Sequence, residues 1–408
     1  MGVPTDYDCV IVGGGMVGAV LACALADQPL RIAVVEAVAW KSTHQPSYDD
    51  RGLALSPVSQ RILQTLGLWE ALAPHATPIE HIHVSDQGHF GMTRLDAAAL
   101  GVPFLGQVVV ARALGQCLMD RMTRETRLDL LCPASVRGLS VRPDAVAVDL
   151  QEEAGPHRIR TRLLVGADGG GSKVRELLGI TAATHDYRQT AIVANLGLAD
   201  PHHNTAYERF TRNGPIALLP LSGQRCVSVW AMQCGEAAGY TTLATEVYLR
   251  RLRECLGRRL APFTELGSRR AYPLQLTQAQ RLAGPRWVLV GNAAHSIHPN
   301  AAQGLNLGLR DVAGLAEQLS DACRRGEDPG GEPVLRRYTE SRRADHQRVV
   351  GFTDALARAS CSAFFPTVAA RALAMLAVDV LPPLKSLLLR QGLGLYAGQA
   401  RLARGLTL

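Results

Sequence analysis

Residues 7–37 read YDCVIVGGGMVGAVLACALADQPLRIAVVEA. Cys9–Val12 is a short apolar run of the kind that forms a buried strand. Gly13, Gly15 and Gly18 follow in G-x-G-x-x-G spacing, Ala19–Ala26 has helical composition, and RIAVVE is a second strand ending in Glu36. Together they predict a βαβ unit. Its glycines permit a tight turn, close approach of a pyrophosphate and packing of helix on sheet, while the helix start offers unpaired N–H groups to phosphates. Glu36, about twenty residues beyond the glycines, is placed to bond ribose hydroxyls. A carboxylate there repels a 2′-phosphate, so the expected ligand is NAD or FAD rather than NADP.

The same run tests the membrane alternative. Cys9–Ala26 is eighteen uncharged residues, enough by count for a marginal span. Four are glycine and no positive charge precedes them, which favours neither a span nor a signal peptide. Asp6 breaks the myristoylation pattern. The expectation is a cytoplasmic protein.

The chain has 408 residues, 47% of them hydrophobic, beyond the roughly 250–300 at which one core stops growing. At least two domains are expected. Nine cysteines include no CxxC pair, which fits reduced thiols better than a disulfide framework. The formal charge is +7, and Lys41, Lys173 and Lys385 are the only lysines among 43 basic residues. No lysine/arginine run marks a nucleic-acid tail, so nucleic acid is not expected as a partner.

Two later segments choose between NAD and FAD. LLVGADGGGSKVRELLG (163–179) is another apolar strand ending in Gly166-Ala167-Asp168-Gly169, followed by Ser172 and a helix bearing Arg175. WVLVGNAAHSIHPNAAQGLN (287–306) is a third, breaking into small residues, a proline and two histidines. Three such strand ends suggest one sheet whose carboxyl edge holds an extended cofactor, and FAD is long enough to need all of them. No second G-x-G-x-x-G is present, so NAD(P)H is expected as a transient electron donor.

The ordered set of G-x-G-x-x-G with Glu36, Asp49-Asp50-Arg51 before GLALS, GADG with Ser172 and Arg175, and the segment Gly291–Asn306 resembles the single-component flavoprotein aromatic hydroxylases. The resemblance covers nearly the whole chain. HIHVSDQGHFG (81–91), ERFTRNGPIALLP (208–220), RRAYPLQLTQA (269–279) and VGNAAHSIHPNAAQGLNLGLRD (290–311) narrow it to the ubiquinone-biosynthesis hydroxylases, most like those acting on 2-polyprenyl-6-methoxyphenol. It implies an α/β fold, para-hydroxybenzoate hydroxylase-like: a Rossmann-like FAD-binding domain (1–75, 106–182 and 276–350), an interleaved antiparallel β-sheet substrate domain (76–105 and 183–275) and a C-terminal helical region (351–408).

It also implies roles. FAD contacts are expected from Gly13, Gly15, Gly18, Glu36, Arg51, Gln107, Arg112, Asp168, Gly169, Asn292, Pro299, Gly304, Leu305 and Asn306. Asn292 stands where most relatives have aspartate, and an amide accepts and donates hydrogen bonds without adding charge. Pro299–Asn306 is expected to wrap the flavin ring, with a helix start at its N1 and O2 edge. The chemistry is the cofactor's: NAD(P)H reduces the flavin, and one atom of O2 passes to an electron-rich polyprenyl phenol, para to its hydroxyl. No protein nucleophile is required; His295 and His298 are candidates for moving protons, although a histidine in such a loop is more often structural.

Other motifs are weaker. His81, His83 and His89 alternate without a ligand-spaced partner and predict no metal site. GGSKV departs from a nucleophile elbow at Val174. From Thr367 the tail carries leucines near helical spacing with interspersed arginines, which suggests helices lying on the protein, on a membrane surface or on ubiquinone-biosynthesis partner proteins. Two other readings stay open, an FAD-dependent isoprenoid oxidoreductase without oxygen insertion and an FAD-bound assembly subunit. Hydroxylation at another ring position also stays open.

Overall fold

The computed structural model describes residues 5–40, 49–257, 262–361, 365–394 and 399–408, and the side chains among them except those of 361, 365, 387–391 and 393. Residues 395–398 of the tail read above therefore lie outside the described residues.

The first sheet is built around Tyr7–Val12, which pairs in parallel with Ile32–Val35 on one side and Gly155–Gly166 on the other. Leu128–Leu131 and Trp287–Leu289 extend it in the same sense. Both faces of its central strand are covered, and Val10 and Ile11 are fully buried, each contributing about 1.5–3 kcal/mol by leaving water. The helices Met16–Leu25, Pro57–Thr65, Ala111–Arg124 and Gln303–Arg325 supply the core on one face. An antiparallel pair, Ala134–Val141 and Val146–Glu152, closes the other.

The second sheet runs His295–Ser296, Arg270–Ala279, Ala182–Leu198, Arg225–Gln233, Ile216–Leu221, Thr205–Phe210, His81–Asp86, Met92–Asp96. It is antiparallel except that Thr205–Phe210 pairs in parallel with His81–Asp86. These two strands come from segments far apart in the chain, so no hairpin fixes their sense. The run IEHIHVSD (79–86) is shared between two sheets: Ile79 ends Ala76–Ile79, which pairs with Gly106–Val110 in a separate three-stranded sheet, and His81 begins the strand that joins the second sheet. The 17-residue strand Ala182–Leu198 and its neighbour Arg270–Ala279 run continuously through the expected boundaries at 182/183 and 275/276. Thr277 then pairs with Ser296, so the second sheet is tied directly to the 287–306 loop.

The C-terminal segment, expected as a helical region over 351–408, is helical in its described elements, with its start inside a longer helix. Glu332–Cys361 is one 30-residue helix crossing residue 351. Phe365–Val380 lies against the edge strand of the second sheet: Thr93 Oγ1 donates to the Met375 carbonyl at 2.8 Å and Arg94 N–H to Asp379 Oδ1 at 2.9 Å. The last residues turn back into the first domain, where Leu402 and Ala403 are buried and Arg401 pairs with Glu317 and Asp321 at 3.2 and 2.7 Å. Apolar side chains on a short terminal helix find their burial where a core is nearest, irrespective of sequence neighbours. Among the described residues no helix is long and apolar enough to cross a membrane, and the eight described cysteines are free thiols.

Candidate active site

A cavity of about 1530 Å³ lies between the two sheets and is lined by both. Its first end is the βαβ turn. Gly13 has φ +103°, and a Cβ there would fall 2.5 Å from the Ala167 carbonyl oxygen; a Cβ on Gly18 would fall 1.9 Å from the Gly13 oxygen. Only glycine allows the turn, the neighbouring strand end and the helix to approach so closely. Gly15 begins the ten-residue helix Met16–Leu25 with no side-chain cap, which leaves the first-turn N–H groups for an anion. Glu36 lines the cavity at the end of the second strand, its Oε2 accepting from Gly14 N–H and its Oε1 from Val38 N–H, both at 2.8 Å.

The second strand end is braced from within. Asp168 accepts from Ser172 Oγ at 2.5 Å and from Val174 N–H at 3.0 Å, so it both lines the cavity and holds the start of the helix Lys173–Leu177. Gly169 beside it has φ +83°. Arg175 donates to the Ala293 carbonyl at 2.9 Å and the Gly170 carbonyl at 2.7 Å, stitching this loop to the third.

In that third loop Asn292, Pro299, Gly304, Leu305 and Asn306 all line the cavity. Ala301 and Ala302 adopt left-handed φ values of 58° and 49° immediately before the helix Gln303–Arg325, which has no side-chain cap. Alanine in that region costs roughly 1–2 kcal/mol per residue, and the strain turns the helix start, with its free N–H groups and partial positive charge, toward the cavity. The Asn306 side chain is spent on structure: it donates to the Ala54 and Ala302 carbonyls at 2.9 and 2.7 Å and accepts from Ser56 N–H and Ser59 Oγ at 2.8 and 2.6 Å.

Arg51 reaches the cavity wall, held by Asp49 at 2.5 Å and lying over the Tyr272 ring at 5.2 Å. Three expected contacts do not line the cavity. Gly18 serves helix packing, Gln107 is buried in the three-stranded sheet, and Arg112 is largely exposed, pairing with Asp50 at 3.1 Å. In the other direction, Ser135, Arg137 and Lys173 line the cofactor half and Glu208, Arg371 and Met375 the apolar half. Lys173 and Glu208 fall inside the segments 163–179 and 208–220 without being distinguishable there from their neighbours, and Ser135, Arg137, Arg371 and Met375 sit in no motif; which side chains face the cavity depends on strand pairing and helix packing, which sequence spacing does not carry.

The two histidines divide. His298 Nδ1 accepts from Asn300 N–H at 3.3 Å, so Nε2 carries the proton toward Gln189 Oε1 at 3.4 Å. Burial lowers His298 to about 4, opposed by the Asn300 hydrogen bond and Asp354, so it is neutral at physiological pH. His295 Nε2 meets Asp311 Oδ2 at 2.6 Å, and Asp311 Oδ1 accepts from His346 Nε2 at 2.6 Å and Arg342 Nε at 2.8 Å. Arg342 also joins Asp345, which pairs with Arg310 at 2.8 Å. Burial alone would raise Asp311, but His346, His295 and Arg342 hold it well below the ordinary carboxylate range. His295, Asp311 and His346 also lie within metal-ligand spacing. With Arg342 on the same carboxylate, the set works as a charge network that anchors the loop.

A long dinucleotide is what three strand ends and two uncapped helix starts on a single cleft suit, and the cleft's continuation under an apolar sheet leaves room for a ring beyond it. Those features define the class of FAD-dependent aromatic monooxygenases. The FAD binding domain family matches residues 6–353, and the chain belongs to it. It is 38% identical over 404 residues to the ubiquinone hydroxylase UbiL of Rhodospirillum rubrum, covering 98% of this chain and 93% of that one. It is 32% identical over 347 residues to the 3-demethoxyubiquinol 3-hydroxylase of Escherichia coli, covering 84% and 86%. Among solved structures, p-nitrophenol 4-monooxygenase PnpA from Pseudomonas putida DLL-E4 shares the fold with a TM-score of 0.80 at 19% identity, over 96% of this chain and 99% of that one. The protein is an FAD-dependent aromatic monooxygenase of the family that contains the ubiquinone-biosynthesis hydroxylases.

Proposed function

We propose that this enzyme hydroxylates a polyprenyl phenol on the path to ubiquinone, with 2-polyprenyl-6-methoxyphenol as substrate and the carbon para to its hydroxyl as the site. The observation that carries this reading is the apolar compartment under the second sheet, walled by residues such as Val84, Val193, Leu219 and Val229 and continuous with the dinucleotide cleft. The relatives named for ubiquinone chemistry support the pathway, and the ring position is the finer part of the proposal.

FAD, reduced by NAD(P)H, supplies the activated oxygen when bound. The chain's residues do the rest. Gly13 and Gly15 would let the pyrophosphate reach the first helix start, Glu36 would take ribose hydroxyls, and Asp168 with Gly169 and Asn292 would hold the ribityl and pyrophosphate stretch. Pro299 to Asn306 would back the flavin ring, and the helix start there would favour negative charge beside it. Arg51 closes the side of the cleft. The second sheet and the helix Phe365–Val380 exclude water from the ring to be hydroxylated.

The same helix supports a membrane-surface position. Its inner face, with Ala374, Met375 and Val378, lines the cavity, while its outer face exposes Leu373, Leu376 and Val380, continued by Leu381, Leu384 and nearby Phe90. A polyprenyl chain resides in the bilayer, and an apolar face over the substrate compartment lets it pass without crossing water.

The deciding experiment is a single turnover of FAD-loaded protein with NAD(P)H and a short-chain 2-prenyl-6-methoxyphenol under ¹⁸O2. One labelled oxygen para to the hydroxyl is the expected product. Label at another position revises the site; flavin reduction and reoxidation without labelled product overturns this substrate; no reduction by NAD(P)H overturns the monooxygenase reading.

A further inference from the structure

The apolar half of the cavity contains one acid among its described lining residues, Glu208. Strand register puts it in a row across the second sheet with Thr93, Val84, Ala217, Val229 and Val193, every one a lining residue. In a half-buried sheet, alternation gives each such position the same face, so a carboxylate stands mid-row among apolar neighbours. Among the described residues it has no ion pair and no hydrogen bond. Charges that approach are already committed. Arg371, from the covering helix, pairs with Asp86 at 2.5 Å; Thr93 gives its hydroxyl to the Met375 carbonyl; and Arg209, next along the strand, alternates to the other face and donates to Ser85 at 3.4 Å. Among its described side chains the helix Glu332–Cys361 adds Phe352, Leu356 and Ala359 to the lining, all apolar. The exposure Glu208 retains opens onto the cavity, and burial raises it to about 7.

An unpaired carboxyl in an apolar pocket is costly for folding alone, and such a group in a substrate cavity marks a functional site. We propose that Glu208 is the catalytic base that binds the ring hydroxyl of the phenol and takes its proton during oxygen transfer. This rests on the phenol hydroxylase reading above. As the ring carbon forms its C–O bond to the oxygen supplied by O2 and the reduced cofactor, the phenolic O–H breaks. Its electron pair stays on the ring oxygen and its proton moves to Glu208. When the ring then loses the hydrogen from the hydroxylated carbon to solvent, Glu208 returns its proton to the ring oxygen, and the base is regenerated. An ordinary glutamate is about six powers of ten weaker as a base than a phenolate; a carboxyl near 7 narrows that gap to about three.

The test uses full-length FAD-loaded protein, E208Q and E208D, and 2-prenyl-6-methoxyphenol. In wild-type oxidised enzyme, infrared difference titration from about pH 5 to 9 is expected to show a carboxyl ionising near 7 and responding to added phenol, with both signals missing from E208Q. Hydroxylated product per NAD(P)H oxidised is expected to fall ~100-fold or more in E208Q, while phenol affinity, read from the flavin spectrum, moves less than about threefold. E208D, with the carboxylate withdrawn by one methylene, is expected to recover part of the yield and the acid limb of the pH profile. Product yield in E208Q within about threefold of wild type overturns the proposal, as does a wild type with no carboxyl titrating in that range. Should wild type oxidise NAD(P)H yet never hydroxylate this phenol, the substrate reading fails instead. Glu208 is then decided by the infrared response to phenol, whose presence upholds it as the phenol-binding base and whose absence overturns it.

Discussion

Asp86 on the second sheet and Arg371 on the helix Phe365–Val380 are 285 positions apart, yet Arg371 donates from both Nε and Nη2 to Asp86 Oδ2, at 2.8 and 2.5 Å. Both side chains are nearly buried, and the guanidinium also lies over Phe210 at 5.6 Å. The pair pins the helix that roofs the apolar compartment.

R371A strands a buried carboxylate, which costs roughly 3–5 kcal/mol. The expected result is a lowered Tm and rapid proteolysis within 365–380, with the D86A/R371A double variant recovering part of the loss because the uncompensated charge is gone. Equal protease sensitivity in wild type and R371A would show that the pair does not hold the helix.

G13A introduces a Cβ 2.5 Å from a backbone oxygen at a φ of +103°, where alanine is strained in any case. The turn must open, and the pyrophosphate site opens with it. Purified G13A is expected to carry less than about a tenth of the wild-type flavin, a loss exceeding roughly 1.4 kcal/mol in binding. Flavin absorbance against protein concentration measures it.

D311N withdraws the charge that His295, His346 and Arg342 converge on. Arg342 then shares the single carboxylate of Asp345 with Arg310, and the buried positive charge left in excess costs up to roughly 3–5 kcal/mol, while the loop carrying Asn292 to Asn306 loses its anchor. Lower Tm and weaker FAD retention are expected together. A lower Tm with unchanged FAD affinity would assign the network to global stability alone.

His298 sets an acid limit on stability. Its folded value of about 4 lies below the unfolded value near 6.5, so between those values the unfolded chain binds more protons and stability falls as pH falls. The contribution is fully present above about pH 6.5 and lost through pH 4, to the order of 3 kcal/mol. Burial lowers His346 as well, against the pull of Asp311, and adds in the same direction. Tm should drop between pH 6.5 and 4, and less so in H298Q.

Replacing Leu373, Leu376 and Val380 with serine removes three exposed apolar side chains, 58%, 43% and 64% accessible, without touching the cavity face of that helix. Binding to liposomes is expected to weaken at least ~10-fold, with FAD content and activity on a water-soluble short-chain phenol retained. Unchanged liposome binding would move this face to a protein partner. Truncation at residue 382 is a poor substitute, because it also removes Leu402 and Ala403 from the core.

The sequence by itself determined the dinucleotide half of this protein. Gly13, Glu36, Asp168 and Pro299 to Asn306 are constraints on backbone shape, expressed over a few residues each, so they are readable before any pairing is known. Tertiary structure decided the apolar half. Glu208 and Arg209 are adjacent and equally charged in magnitude, and only the register of Thr205–Phe210 against His81–Asp86 and Ile216–Leu221 turns one to the cavity and the other away. A shift of one residue exchanges them. Arg371 carried no motif at all, and Asn306 carried one whose side chain proved structural. Side-chain direction and long-range pairing arise from partners far along the chain, which is why spacing shows the strand ends that meet at the cleft but not the row of side chains that faces its apolar half.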